Sequence, residues 1–312
     1  MIYNFCVIIE KTKRVDMYLS TLFNDFSRSY IQKMIDRWQV SINNKKISKN
    51  LKIKNRDEIF IEIFIEKLEE VLPEKMDFNI VYEDNEILVL NKDYWVNVHP
   101  VPWENWNKNT LVNWVLYHCK NKLPCIWWVN RPGIVHRLDK DTSWVIMIAK
   151  SDIMMNYLSN IIKDRNIDKY YLAIVNWKIK NNNIKIESYI WRDPNNRLKM
   201  TTLNPVNPKI AITYWEVLEY IDNKYTLLKI KIETWRTHQI RVHMASIGFP
   251  ILWDKIYWNL RVNKEIATTY QLHRQALHAW QLDLKLYWKD VNFKAELKND
   301  MKRIIKDLDI NL

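Results

Sequence analysis

The sequence predicts an α+β protein in two parts, a small α/β module followed by a larger domain built on a mixed, largely antiparallel sheet. Three observations carry this. Residues 13–66 place two helical patterns ahead of short alternating strands. Residues 67–76, "KLEEVLPEKM", are charged, contain a proline and read as a linker. From residue 77 to 312 short strands dominate, without the regular strand–helix–strand alternation of a parallel sheet. The chain has 312 residues, enough to bury two unequal cores.

In the first module Val15, Tyr18, Leu19 and Leu22 recur at helical spacing. A second helix is predicted over 29–37, with Ser27 or Ser29 as N-cap and Ile31, Met34 and Ile35 as its apolar side. The strands "VSIN" and "IFIEIFI" follow, with the turn "NNKK" between elements. Position 38 sits between the second helix and a strand, where a C-terminal cap favours glycine; Trp38 stands there. The second part opens with "FNIVYEDNEILVLNK", a strand, an acidic turn and a strand. "VIMIAK", "KYYLAIVNW" and "LLKIKIE" read as further strands, the second with Tyr171, Ala173 and Val175 on one face. Residues 237–247 read as a helix, with Ile240, Met244 and Ile247 apolar, Gly248 past its end and Pro250 as the stop.

Composition excludes several classes. Cys6, Cys119 and Cys125 show neither a CxxC nor zinc-ligand spacing, so buried free thiols are expected instead of a disulfide framework or metal site. His238 and His243 are five apart and miss the i, i+4 face of a zinc-binding helix. With no phosphate loop and no dinucleotide fingerprint, no cofactor is expected. No apolar run reaches the ~18 residues of a membrane span, and the apolar N-terminus lacks a preceding basic region and a cleavage site. A cytoplasmic location is therefore expected. The formal charge is +12, and residues 11–60 alone hold twelve Lys/Arg against five Asp/Glu. Positive charge concentrated in one small segment predicts a nucleic-acid partner.

The chemistry-bearing segment is "RPGIVHRLDKDTS", a polar loop ahead of a strand, with Asp139 two residues after Arg137. A lone ion pair around Asp139 explains that stretch equally well. The tyrosine of "KYYLAIV" taken alone reads as packing. Arg241 follows His238 by one helical turn.

Together these motifs carry a resemblance. Residues 13–66 resemble the S4 RNA-binding domain through "RVDMYLS", "SRSYIQKMID" and "VSINNKKI". That likeness implies that Arg28, Lys33 and Arg37 meet RNA. Nearly the whole chain is similar to bacterial pseudouridine synthases of the large-subunit ribosomal RNA type, with an S4 domain ahead of the catalytic domain. The likeness rests on "PGIVHRLDKDTS", "KYYLAIV", "RTHQIRVHMA", "FPIL" with Asp254, and "RQALHA", in the family's order. It implies that Asp139 is the catalytic aspartate, as nucleophile or base, that Tyr171 packs against the target base and assists proton removal, and that Arg241 pairs with the aspartate. Arg137 would fill the gap left by an extruded uridine, and His136, Arg236 and His238 are expected at the substrate. The implied partner is 23S ribosomal RNA or a pre-ribosomal particle, met by a monomer. A tRNA-directed synthase and a non-catalytic RNA-binding assembly factor are the alternatives, and the retained Asp139, Tyr171 and Arg241 argue against the second.

One anomaly remains. Average usage gives ~22 glycines in a chain this long, yet there are 2, with 16 tryptophans. "DTSW", "ETWRTHQIR" and "ILWDKIYW" carry tryptophan where the resembling family has glycine, and Trp38, Trp95, Trp191 and Trp288 fall where turns or caps are expected. Independent mutation of many glycines to the bulkiest residue would introduce clash and strain at each site. We therefore read most of these positions as glycines encoded by UGA and translated as tryptophan; some bacterial lineages use such a code. Trp215, in "ITYWEVLE", fills an aromatic position and is read as genuine. The codons at 144, 235 and 253 test this: UGA is expected and UGG would overturn it. A chain carrying tryptophan at 144 and 235 is expected to misfold or lack activity.

Overall fold

The computed structural model describes residues 2–305 apart from 24–27, 63–70, 100–107, 121–122, 124–132, 137–138, 140, 181–183, 197, 204–207 and 259. The chain divides into two compact units, 1–70 and 71–312.

The first unit holds β1 (Ile2–Cys6), β2 (Lys13–Arg14), α1 (Val15–Leu22), α2 (Arg28–Asp36), β3 (Val40–Ile42), β4 (Lys45–Lys46), β5 (Lys52–Ile53) and β6 (Glu58–Glu62). Its antiparallel sheet runs β1-β6-β3-β4, and β2 pairs with β5. The sheet thus takes in Ile2–Cys6, which the expected boundary at residue 13 left out. Helical spacing brings Val15, Leu19, Ile31, Met34 and Ile35 into one core with Val40, Ile59 and Ile61. Burying each such side chain contributes roughly 1.5–3 kcal/mol. Ser29 falls inside α2, so it is not the cap expected there, and Ser27 lies outside the described residues. Leu22 is exposed, and so is Cys6, against the expectation of buried thiols; Cys119 is buried.

Asp16 is fully buried between the two helices and accepts from Arg14, Arg28 and Gln32. Burial works against its charge, but these three side chains outweigh it and hold the carboxyl well below its usual range. Arg28 is thus tied into the fold, while its side chain stays 46% exposed. Its Nε donates to Asp16 at 3.0 Å and ties α2 to α1. Lys33 and Arg37 are exposed.

The second unit runs β7 (Asn79–Glu83), β8 (Ile87–Lys92), α3 (Leu111–Cys119), β9 (Ser143–Ala149), α4 (Asp152–Lys163), β10 (Ile167–Asn176), β11 (Ile184–Arg192), β12 (Met200–Thr201), β13 (Lys209–Ile221), β14 (Tyr225–Ile232), α5 (Gln239–Ser246), α6 (Leu260–Tyr270), β15 (Leu277–Leu286), β16 (Lys289–Lys294) and α7 (Asn299–Ile305). Residues 71–76 belong to it as well and are not linker. Val71 and Met76 lie against its core, and the Asn109 N–H donates to Glu74 at 2.8 Å.

A ten-stranded sheet forms the centre, in the order β12-β11-β13-β14-β10-β15-β9-β8-β7, with β16 paired to β15. Its pairings are antiparallel except β15–β9, where His278 faces Ser143 and Ala279 faces Trp144. The α+β fold with a largely antiparallel sheet is as expected. Strand alternation explains the apolar runs "ILVL" and "VIMIA". Leu88, Leu90, Ile146 and Ile148 enter the cluster shared with α3, α5, α6 and α7, whereas Ile87, Val89, Val145 and Met147 enter the one under α4. Both faces of these strands are covered, so no polar alternation survives.

The backbone shows where glycine is demanded. At the end of α2 the N–H of Trp38 bonds Ile35 and that of Gln39 bonds Met34, with φ at Trp38 of 62°. At the end of α5 the N–H of Gly248 bonds Ala245 and that of Phe249 bonds Met244, with φ at Gly248 of 86°. The two caps are the same left-handed motif, closed once by glycine and once by tryptophan. Trp177, Trp253 and Trp288 share positive φ, and Trp288 forms with Tyr287 the two-residue turn between β15 and β16. Two expectations change. Trp144 does not launch its strand from a turn; it lies within β9, 1% exposed, with Nε1 unpartnered. Trp191 likewise lies within β11, buried and unpartnered. At these two sites the tension is a crowded, unsatisfied indole, not φ.

A left-handed backbone costs a side-chain-bearing residue about 1–2 kcal/mol. Glycine at 38, 177, 253 and 288 is expected to raise the unfolding free energy measured in urea by about that much per site. Glycine at Trp215, buried on β13 with negative φ, is expected to lower it by ~3–5 kcal/mol.

Candidate active site

The site forms where the loop before β9, strand β10, the β14–α5 corner and the loop after Pro250 converge. That last loop is fixed through its backbone: the Leu252 N–H donates to Ile174 on β10 and the Ala276 N–H donates to Leu252. This carries Asp254 into the interior, where it is fully buried. Its carboxylate accepts from the backbone N–H of Ile256 and Tyr257 and from Arg241, Nε at 2.7 Å and Nη2 at 2.9 Å. The third guanidinium nitrogen, Nη1, donates to Asp139 at 3.1 Å. Arg241 thus bridges two carboxylates with its planar fork. Burial opposes its charge, but the two acids outweigh burial and raise its pKa above the usual arginine value.

Asp139 is held from its own loop too. The Thr142 N–H donates to the Asp139 carbonyl, Gln275 donates to the Thr142 hydroxyl at 3.0 Å, and Arg274 donates to the Asp141 carbonyl. Arg274 is anchored bidentately by Asp300 and lies over the Tyr94 ring. The "RQALHA" segment therefore acts as a clamp on the Asp139 loop. Behind it the Ser143 hydroxyl bonds His278, whose other ring nitrogen bonds the Ala295 carbonyl.

His238 has left-handed φ of 57° at the start of α5 and stands 3.7 Å from Asp139. The Tyr257 hydroxyl accepts from the Met200 N–H and bonds His238 Nδ1 at 2.9 Å. Burial, first among the causes, lowers the pKa of the ring, whose Nε2 faces Asp139. Gln239 closes the β14–α5 corner, accepting from Thr234 and the Arg236 N–H and donating to Ile212 and Thr213.

A cavity of about 460 Å³ opens over Asp139 and is also lined by Lys169, Tyr171, Arg236, His238 and Arg241. A second, of about 410 Å³, shares Asp139, His238 and Arg241 and adds Lys255 and Arg274. The Asp139 carboxylate, still partly accessible, thus forms wall to both. Tyr171 is buried; burial first, and Asp139 second, push its phenol well above its usual pKa. At neutral pH it is therefore a protonated phenol, suited to packing or donating but not to accepting a proton.

Of the expected site residues, Asp139, Tyr171, Arg236, His238 and Arg241 meet in one cavity. Arg236 is partly committed, its Nε donating to the Ile210 carbonyl. His136 does not line the cavity, contrary to expectation. Its Nε2 accepts from the Met147 N–H at 3.0 Å and its ring meets Trp144 edge-on. Burial and the nearby Lys169 keep it neutral, so it serves the strand beneath the site. Arg137 lies outside the described residues. Sequence reasoning assigned no role to Asp254, Tyr257 or Lys169. For Asp254 there was a signal: an acid one residue beyond the apolar run "FPIL", after Trp253.

With this geometry in place, the likeness to known proteins becomes specific. The family model for RNA pseudouridylate synthase matches residues 86–246, a span holding Asp139, Tyr171 and Arg241. An uncharacterised RNA pseudouridine synthase of Bacillus subtilis is 37% identical, over 96% of this chain and 95% of its own. The ribosomal large subunit pseudouridine synthase D of Zymomonas mobilis is 35% identical over 96% of this chain and 94% of its own. Among solved structures, human RNA pseudouridylate synthase domain containing 1 shares the fold at a TM-score of 0.58 and 24% identity, over 71% of this chain and 84% of that one. The chain belongs to the RNA pseudouridine synthase family and is an isomerase of that kind.

Asp254→Asn removes the charge that anchors the Arg241 fork. Breaking one side of a buried pair costs about 3–5 kcal/mol, and that loss is expected in urea denaturation. Asp139→Asn, on a partly open wall, is expected to cost under ~1 kcal/mol.

Proposed function

We propose that this enzyme converts particular uridines of large-subunit ribosomal RNA to pseudouridine, with Asp139 as the catalytic residue. The observation that carries the assignment is the Asp139–Arg241–Asp254 chain at the wall of a nucleoside-sized cavity. The names of the Zymomonas mobilis relative and of its Buchnera aphidicola and Neisseria meningitidis counterparts favour ribosomal RNA over tRNA as substrate.

The isomerisation replaces the C1′–N1 bond by C1′–C5 and exchanges the C5 proton for one on N1. Neither carbon is reachable in a stacked helix, so the uridine must be extruded into the cavity. There the neutral phenol of Tyr171 packs against the base. The Asp139 carboxylate, aimed by Arg241 and faced by His238, attacks or abstracts. Because Tyr171 is protonated, removal of the C5 proton falls to Asp139. Lys33 and Arg37 of the first unit, with the basic surplus in residues 11–60, bring RNA to the enzyme in the cytoplasm.

In cells carrying Asp139→Ala, pseudouridine mapping is expected to lose sites in large-subunit RNA. Loss confined to tRNA would establish the tRNA-directed reading, and no loss anywhere would end the enzymatic role given to Asp139. RNA affinity is expected to fall steeply with salt, since phosphate neutralisation releases counterions. Binding that is the same at 50 and 200 mM salt would contradict the role of residues 11–60.

A further inference from the structure

Lys169 stands two residues before Tyr171 on β10 and lines the same cavity as Asp139, yet it is only 6% exposed. Buried ammonium groups are ordinarily paired with a carboxylate, because an uncompensated charge in the interior is costly. Among the described residues Lys169 has no such pair. Its neighbour Asp168 is bonded to Lys231 at 2.7 Å, and the Lys169 ammonium rests on the face of the Trp235 indole, 3.7 Å from the ring centre. The other cations of the cavity differ. Arg241 is held by two carboxylates, and Arg236 donates to a backbone carbonyl. Trp235 is itself read as a glycine position, its Nε1 unpartnered. With glycine there, nothing stands between the ammonium and the space the indole fills.

A cation in the cavity wall that no carboxylate among the described residues holds is free to meet a reacting anion. Breaking C1′–N1 sends the bonding pair away with the ring, placing negative charge on N1 and on the carbonyl oxygens O2 and O4. Joining C5 to C1′ returns a pair from the ring, and the C5 proton leaves as N1 gains one. No oxidant or reductant is needed. We propose that Lys169 is a further catalytic residue, whose ammonium holds the detached uracil ring through a carbonyl oxygen while the ring turns from N1 to C5. This rests on the function proposed above.

The test uses the full-length chain with the residues that peptide mass spectrometry finds in the native protein. Total ribosomal and transfer RNA transcripts serve as substrate, so that the ratio to the parent enzyme is read whichever RNA is modified. The parent's choice of RNA decides the functional reading by itself. Lys169→Met keeps the length and removes the charge. It is expected to melt no lower than the parent, to bind RNA with unchanged Kd, and to lose at least 100-fold in single-turnover rate. A rate within threefold of the parent overturns the proposal, as does a rate loss fully matched by weaker RNA binding. If Lys169→Met does not fold, Lys169→Ala is assayed with and without ethylammonium. A rate restored by the amine supports the role, and one indifferent to it overturns the role.

Discussion

The site depends on one side chain being unable to move. Arg241 presents a rigid fork, and Asp254 takes two of its nitrogens, leaving the third aimed at Asp139. A lysine could supply the charge but not this two-sided direction, since its ammonium is a point on a flexible stem. The interior location matters as much as the geometry. In water the pair would contribute little, whereas here burial makes each partner's absence costly. Everything that fixes Asp254, including the backbone bonds between the 251–254 loop, β10 and the start of β15, therefore also fixes the Asp139 carboxylate.

Much of this could be read in advance, and the residues show why. The end of α5 was legible because Gly248 and Pro250 are local signals with local causes. The strands at 145–149 and 169–176 were legible because alternation and apolar runs need only neighbours. Asp139, Tyr171 and Arg241 came from the resemblance, not from periodicity. What failed was whatever depends on distant partners. The bond from Arg28 to Asp16 was not foreseen because twelve residues separate the two in sequence. His136 sits in the most polar stretch of the chain, but a single N–H from Met147 commits it to the strand below. Lys169 is silent in sequence because only the fold reveals that no acid accompanies it.

The tryptophans divide in the same way. Trp38, Trp177, Trp253 and Trp288 declare themselves through φ, a property of one residue's backbone. Trp144 and Trp191 have buried indoles without an acceptor, but so has Trp215, so burial alone does not mark a glycine position. The left-handed cap closed by Gly248 shows what the fold uses where glycine is available.

The order of the strands has a temporal consequence. β15 is inserted between β10 and β9, although it follows both by more than a hundred residues along the chain. A nascent polypeptide that has emerged only as far as α6 carries two unpaired edges, those of β9 and β10, on either side of the gap. The loop bearing Asp139 and the strand bearing Tyr171 border that same gap. The central seam can close only when β15 has left the ribosome, and closing it is the event that unites the two halves of the site. An enzyme whose proposed substrate is ribosomal RNA would thus stay inert until that strand has been made.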